Sequence, residues 1–125
     1  MSDKNIETQN KIDDLLHIMS QLRDPDKGCP WDLQQNFETI APYTIEEAYE
    51  VAEAIQQSDM PALCDELGDL LFQVVFHSRL AEEQHSFSFD DVLVSICEKL
   101  RRRHPHVFDN KPVDTKNLAK QWEAH

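Results

Sequence analysis

Apolar residues recur at helical spacing from Ile12 through Leu15, Leu16, Met19 and Leu22, and the pattern ends at Asp24-Pro25, where the residue before a proline is pushed out of the helical region. This predicts a first helix. A turn-rich connection, Asp26 to Asp32, follows, and Leu33 to Ile40 is expected to hold a short helix that Pro42 breaks. Thr44 and Glu47 have the spacing of a capping box, which predicts a second helix from Thr44 to about Gln57. Its apolar stripe is Ile45, Ala48, Tyr49, Ala52 and Ile55. Glu46, Glu47, Glu50 and Glu53 share the opposite side, within an arc of roughly 120° at about 100° per residue. Ser58 to Pro61 marks a break, and a third helix from Met60 to Glu83 is apolar nearly all round, as a central element would be. Only its acids, Gln73 and His77 interrupt that middle. Ser88 and Asp91 form another cap, and Val92, Leu93, Ile96 and Leu100 give a fourth helix its apolar face before Pro105 stops it. Asp109 to Asp114 reads as a polar loop, and Thr115 to Ala124 as the start of a last helix. With no strand pattern and no internal repeat, the expectation is an all-α bundle of four to five helices.

Composition narrows the function. A chain of 125 residues, 40% of them hydrophobic, is one domain with enough apolar material for a core. Its net charge of -12 argues against nucleic acid or an anionic membrane as main partner, while a small polyanion bridged by metal stays possible. Cys29, Cys64 and Cys97 are an odd number without Cys-x-x-Cys spacing, so free structural thiols in a reducing, cytoplasmic compartment are expected. No apolar run has signal-peptide or membrane-spanning character.

The sharpest chemistry lies in two acid pairs, Glu47 with Glu50 and Glu66 with Asp69, each spaced three apart so that both members share a helix face. Alone, the first pair reads more simply as a capping residue and a solvated acidic face. The second pair lies in a helix whose neighbouring positions are large and apolar, which predicts that its acids point into a core and need a partner. No lysine or arginine stands close by in the segment. Two antiparallel helices joined by a short break would set the pairs face to face, and a hard cation, Mg²⁺ or Mn²⁺, suits four carboxylates.

The runs Glu46-Glu47-Ala-Tyr-Glu50 and Glu66-Leu-Gly-Asp69-Leu-Leu-Phe72 resemble the Glu-Glu-x-x-Glu and Glu-x-x-Asp signature of the MazG nucleoside triphosphate pyrophosphohydrolases, in the all-α NTP pyrophosphatase superfamily. Gly28-Cys-Pro-Trp-Asp32, Ala41-Pro-Tyr-Thr44, Phe72-Gln-Val-Val-Phe76 and Arg102-Arg-His-Pro-His-Val-Phe108 extend the resemblance from about Ile12 to Trp122. It implies Mg²⁺-dependent cleavage of NTPs or dNTPs to nucleoside monophosphate and pyrophosphate, by an α-helical homodimer or homotetramer. Glu47, Glu50, Glu66 and Asp69 would then be metal ligands, and Glu46 either the base for water or a solvated glutamate. Lys99 and Arg103 match basic positions that face the phosphates in the family, against the plainer reading of helix C-terminal charge.

Trp31 is a candidate wall for the base, with Trp122 and Phe37 as weaker ones, although a tryptophan beside a proline is more often plain packing. His104 and His106 flank Pro105 and read as a turn and helix end. Many proteins of the family carry two modules in tandem; this chain holds one, resembling the first copy. It stands either as a short protein of its own or as the first module of a longer one, and in the second case a structural or regulatory repeat with little turnover is the rival reading to an enzyme. The Phe72 and Phe76 side of the third helix is expected to be covered by a dimer interface.

Overall fold

The computed structural model describes residues 3–110, 112 and 116, and among them contains six helices and no strand. These are α1 (Asp3–Leu22), α2 (Pro30–Leu33), α3 (Phe37–Gln56), α4 (Met60–Glu83), α5 (Phe89–Arg103) and α6 (Pro105–Phe108). The chain divides into two compact units, Met1–Phe87 and Ser88–His125. No helix among the described residues is long and apolar enough to cross a membrane.

In the first unit, α4 keeps its expected bounds because Asp59 caps it, accepting the Ala62 N–H at 3.1 Å, and Pro61 stands in its first turn, where a missing N–H costs nothing. α3 does not begin at Thr44. Asn36 and Thr39 form a reciprocal capping box, with bonds of 2.9 and 2.8 Å, so the helix starts at Phe37 and absorbs both the expected short helix and Pro42. The short helix lies earlier, at Pro30–Leu33. Pro42 is tolerated near the N-terminus, where it removes one intrahelical bond without ending the helix.

The orientation of α3 reverses the expectation. Ile40 and Ala54 are buried and Thr44, Glu47 and Val51 half-buried, a spacing of three and four that faces inward. The apolar stripe faces out instead: Ile45 is 60% exposed and Tyr49 72%. α4 is not apolar all round in its setting either, since Leu67, Leu71 and Val74 are exposed and the core takes Val75, Phe76, Leu80 and Ala81. Phe76 is fully buried, so that aromatic side needs no partner chain for cover.

The end of α1 is tied to α4 by Arg23. Its guanidinium donates to both carboxylate oxygens of Glu83 at 3.1 and 2.5 Å and to the Asp32 carbonyl at 2.6 Å, and it lies 5.8 Å over the Phe76 ring. Gly28 closes the intervening turn. A Cβ there would meet the Leu22 and Asp24 carbonyl oxygens at 2.5 Å, which is why glycine is needed.

In the second unit, Ser88 and Asp91 form the expected capping box and α5 ends at Arg103. His104 turns the chain into α6, with its Nδ1 2.6 Å from the Leu100 carbonyl oxygen, consistent with a helix-end role. Of the expected apolar face of α5, Val92 and Leu100 are half-buried, while Leu93 and Ile96 are exposed. Of the expected last helix, Thr115 to Ala124, only Lys116 is described, and it is helical; Trp122 lies outside the described residues.

Arg23 holds Glu83 below the usual carboxylate range, chiefly by direct hydrogen bonding, so this contribution to stability is present above the ordinary glutamate pKa and is lost as pH falls through the lower folded value. Glu83→Gln should cost about 2 kcal/mol at neutral pH, less than a fully buried pair because Glu83 is partly exposed. Urea unfolding at pH 7 and pH 4 measures both effects, and the difference between variant and wild type should shrink at the lower pH.

Candidate functional site

The chain reversal at Gln57 to Asp59 makes α3 and α4 antiparallel neighbours, so inward residues near the middle of one meet those of the other. Glu47, Glu66 and Asp69 come together there, with one carboxylate oxygen from each lying within 4.8 Å of the others. Glu47 and Glu66 are half-buried and Asp69 is exposed, so the acids line a groove and do not enter the core as expected. Glu50 stands outside this close group. It is near enough to act on Glu47 electrostatically, and it shares with Glu66 a small cleft of about 150 Å³ that Glu53, Ala54, Gln57 and Ala62 also line.

Electrostatics make the arrangement costly. Burial, then a hydrogen bond with Glu66, then the charges of Asp69, Glu66 and Glu50 push the Glu47 pKa up to about 7. One oxygen of Glu47, Oε2, is buried with no hydrogen-bond partner among the described residues. An orphaned buried carboxylate oxygen facing two further acids fits a divalent cation well, because a cation satisfies the lone pair and offsets the repulsion at once.

The other expected residues belong to several elements. Glu46 is exposed on α3, outside the cluster. Trp31 is 48% exposed on α2 and packs edge-on against Tyr43 at 5.8 Å, while Phe37 lies flat against His77. Lys99, half-buried, and Arg103, buried, belong to the last part of α5 in the second unit. The cysteines are free thiols.

Three further residues that the sequence reading did not bring together meet between α3 and α4. Thr44 Oγ1 donates to Gln73 Oε1 at 3.1 Å and lies 2.9 Å from His77 Nε2. The signal was available: Asp69, Gln73 and His77 are spaced by four along α4, and the last two interrupt its apolar run.

Comparison with known proteins agrees with this geometry. Residues 35–108 match the family described as the MazG nucleotide pyrophosphohydrolase domain. Nucleoside triphosphate pyrophosphohydrolase of Escherichia coli is 54% identical over 115 residues, covering 91% of this chain and 44% of that protein. The nucleoside triphosphate pyrophosphohydrolase/pyrophosphatase MazG of Thermotoga maritima is 47% identical over 112 residues, 90% of this chain and 42% of that protein. The crystal structure of a MazG-related protein from Thermotoga maritima superposes with a TM-score of 0.70 at 26% identity, over 90% of this chain and 96% of the other. The chain thus spans less than half the length of the curated relatives it matches.

Because the folded pKa of Glu47 is raised, the native state binds more protons than the unfolded chain between the ordinary value of 4.5 and about 7, and this contribution to stability is lost as pH rises through that window. His77, whose pKa burial lowers, contributes the opposite slope near 6.5, so the informative quantity is the difference between proteins. In EDTA, Glu47→Gln should gain stability relative to wild type between pH 5 and pH 8, as followed by thermal unfolding.

Proposed function

The chain belongs to the family of MazG nucleotide pyrophosphohydrolase domains, and from that premise we propose that it hydrolyses nucleoside triphosphates, NTP or dNTP, to nucleoside monophosphate and pyrophosphate with Mg²⁺, cleaning the nucleotide pool. The observation that carries this reading is the buried, unpartnered Glu47 Oε2 set against Glu66 and Asp69. Glu47, Glu66 and Asp69, with Glu50 beside them, would hold the ion. When bound, Mg²⁺, or Mn²⁺ in its place, supplies charge neutralisation for the triphosphate and makes water more acidic.

The reaction joins the water oxygen to the α-phosphorus, breaks that phosphorus's bond to the α,β-bridging oxygen, and releases pyrophosphate with the electron pair. Glu46, exposed on the solvent side of α3, is the proposed acceptor of the water proton. Lys99 and Arg103 keep the phosphate-facing role that the family resemblance gives them, and Trp31, half-exposed, is the proposed stacking surface for the base. Three free thiols fit a reducing, cytoplasmic compartment.

The outward stripe of Ile45, Tyr49 and Ile55, and the exposed Leu67, Leu71 and Val74, support a homodimer or a tetramer of dimers in which a second copy covers them. Gly68 lies beside them in α4 with nothing within 4 Å of a built Cβ. A helix-interior glycine costs about 0.5–1 kcal/mol relative to alanine, so close approach by another chain would give it a reason that this fold does not.

With a panel of NTPs and dNTPs and Mg²⁺, the first products should be monophosphate and pyrophosphate, EDTA should abolish their formation, and initial orthophosphate with nucleoside diphosphate would refute the reading. Glu66→Gln and Asp69→Asn should each lower turnover by at least about a hundredfold while leaving metal-free stability equal or higher, because neutral amides relieve repulsion. Cation binding without turnover in the wild type would instead identify a regulatory repeat. Sedimentation at micromolar concentration should show a dimer or tetramer, and Tyr49→Lys should shift it toward monomer.

A further inference from the structure

Beyond the acids, three further polar side chains meet between α3 and α4. Gln73 is buried, and Thr44 and His77 are half-buried. The Thr44 hydroxyl lies 3.1 Å from its acceptor Gln73 Oε1, 2.9 Å from His77 Nε2 and 3.4 Å from the Ile40 carbonyl oxygen. Phe37 lies against the ring with centroids 6.0 Å apart and planes 7° from parallel, fixing its orientation. The result is a hydrogen-bonded chain joining His77, Thr44 and Gln73, crossing from α4 to α3 and back.

Its position relative to the acids is specific. Thr44 precedes Glu47 by three residues and Gln73 follows Asp69 by four, so both sit one turn from a carboxylate on the same helix faces. On the far side of the acids, α3 and α4 are joined by the short reversal, where the Asp59 N–H donates to the Ala54 carbonyl at 3.1 Å. The carboxylates thus lie between two ties, one covalent and one of hydrogen bonds. Like charges facing each other between those ties push the helices apart. Only the hydrogen-bonded tie can yield, because the other is the chain itself.

We propose that the Thr44–Gln73–His77 chain is a positioning device for the acid cluster, holding α3 against α4 so that Glu47 stays within cation-binding distance of Glu66 and Asp69 before any cation arrives. This rests on the reading of those three acids as cation ligands. Thr44 and Gln73 are not ligands; they act by fixing the separation of the helices that carry them. A bond that served packing alone would set stability and leave cation affinity unchanged, whereas a positioning bond sets both.

The two roles separate when Mn²⁺ alone is the probe, its binding followed by loss of the free-ion electron paramagnetic resonance signal, with urea unfolding of the same proteins in EDTA alongside. Thr44→Val keeps the shape and removes the hydroxyl. Gln73→Met keeps the length and removes the acceptor, and Thr44→Ser keeps the hydroxyl. Mn²⁺ affinity should fall about tenfold in Thr44→Val and in Gln73→Met, the scale on which groups that orient ligands act, and Thr44→Ser should recover most of it. If Thr44→Val does not fold, Gln73→Met decides. Wild-type affinity in a folded variant lacking the bond overturns the proposal while the cation reading stands. Absence of Mn²⁺ binding in the wild type overturns both.

Discussion

Carboxylates facing each other across two antiparallel helices set the terms for the rest of this structure. Glu47, Glu66 and Asp69 repel, and the burial of Glu47 strengthens the repulsion by removing solvent screening. The pairing of α3 with α4 has to be held from outside the acids. A three-residue reversal closes one end, the Thr44 bridge closes the other, and α4 is anchored from behind by Arg23 at the end of α1. The groove is therefore a place where fold stability is spent, and the apolar residues that stabilise it lie at the other end of α4, around Val75, Phe76 and Leu80.

How much of this was legible in the sequence depended on how many rival signals stood at each point. The bounds of α4 were readable because Asp59, Pro61 and the apolar run point to one answer. The start of α3 was not, because Asn36 with Thr39 and Thr44 with Glu47 both offer a residue that can cap and a partner three positions later, and Pro42 between them looks like a stop. Tertiary packing decided for the earlier cap. Thr44 was thereby freed to bond across the groove, so the wrong boundary also concealed the residue's role.

The facing of α3 failed for a related reason. Amphipathic reading assigns the apolar stripe to the core, yet here the inward line is Ile40, Thr44, Glu47, Val51 and Ala54, only partly apolar, and the stripe of Ile45, Tyr49 and Ile55 looks outward. A helix inverts in this way when its polar face has work inside and its apolar face has cover outside the chain. The meeting of Glu47 with Glu66 and Asp69 was legible, since spacing by three and a short reversal bring them together whichever face is assigned to the core, while Glu50, the fourth expected acid, stands outside the close group. Arg23 was missed altogether, because nothing local relates it to a glutamate sixty residues away.

Two acids on neighbouring helices, Glu83 on α4 and Glu47 on α3, are treated in opposite ways, which argues that the cluster is no accident of an acidic composition. Glu83 ends α4, where the helix dipole disfavours an anion, and the fold supplies both Arg23 and Arg79, drawing its pKa down. In the first half of the same helix, Glu66 and Asp69 face Glu47 of α3, and everything that acts on the Glu47 carboxyl raises its pKa: burial, a hydrogen bond that its protonated form donates to Glu66, and three neighbouring negative charges. A protein able to bring two guanidinium groups to one partly exposed glutamate could have answered a structural liability at the other acids in the same way. Leaving Glu47 with an unpartnered buried oxygen makes sense where the missing positive charge comes from outside the chain, which is what a cation site requires.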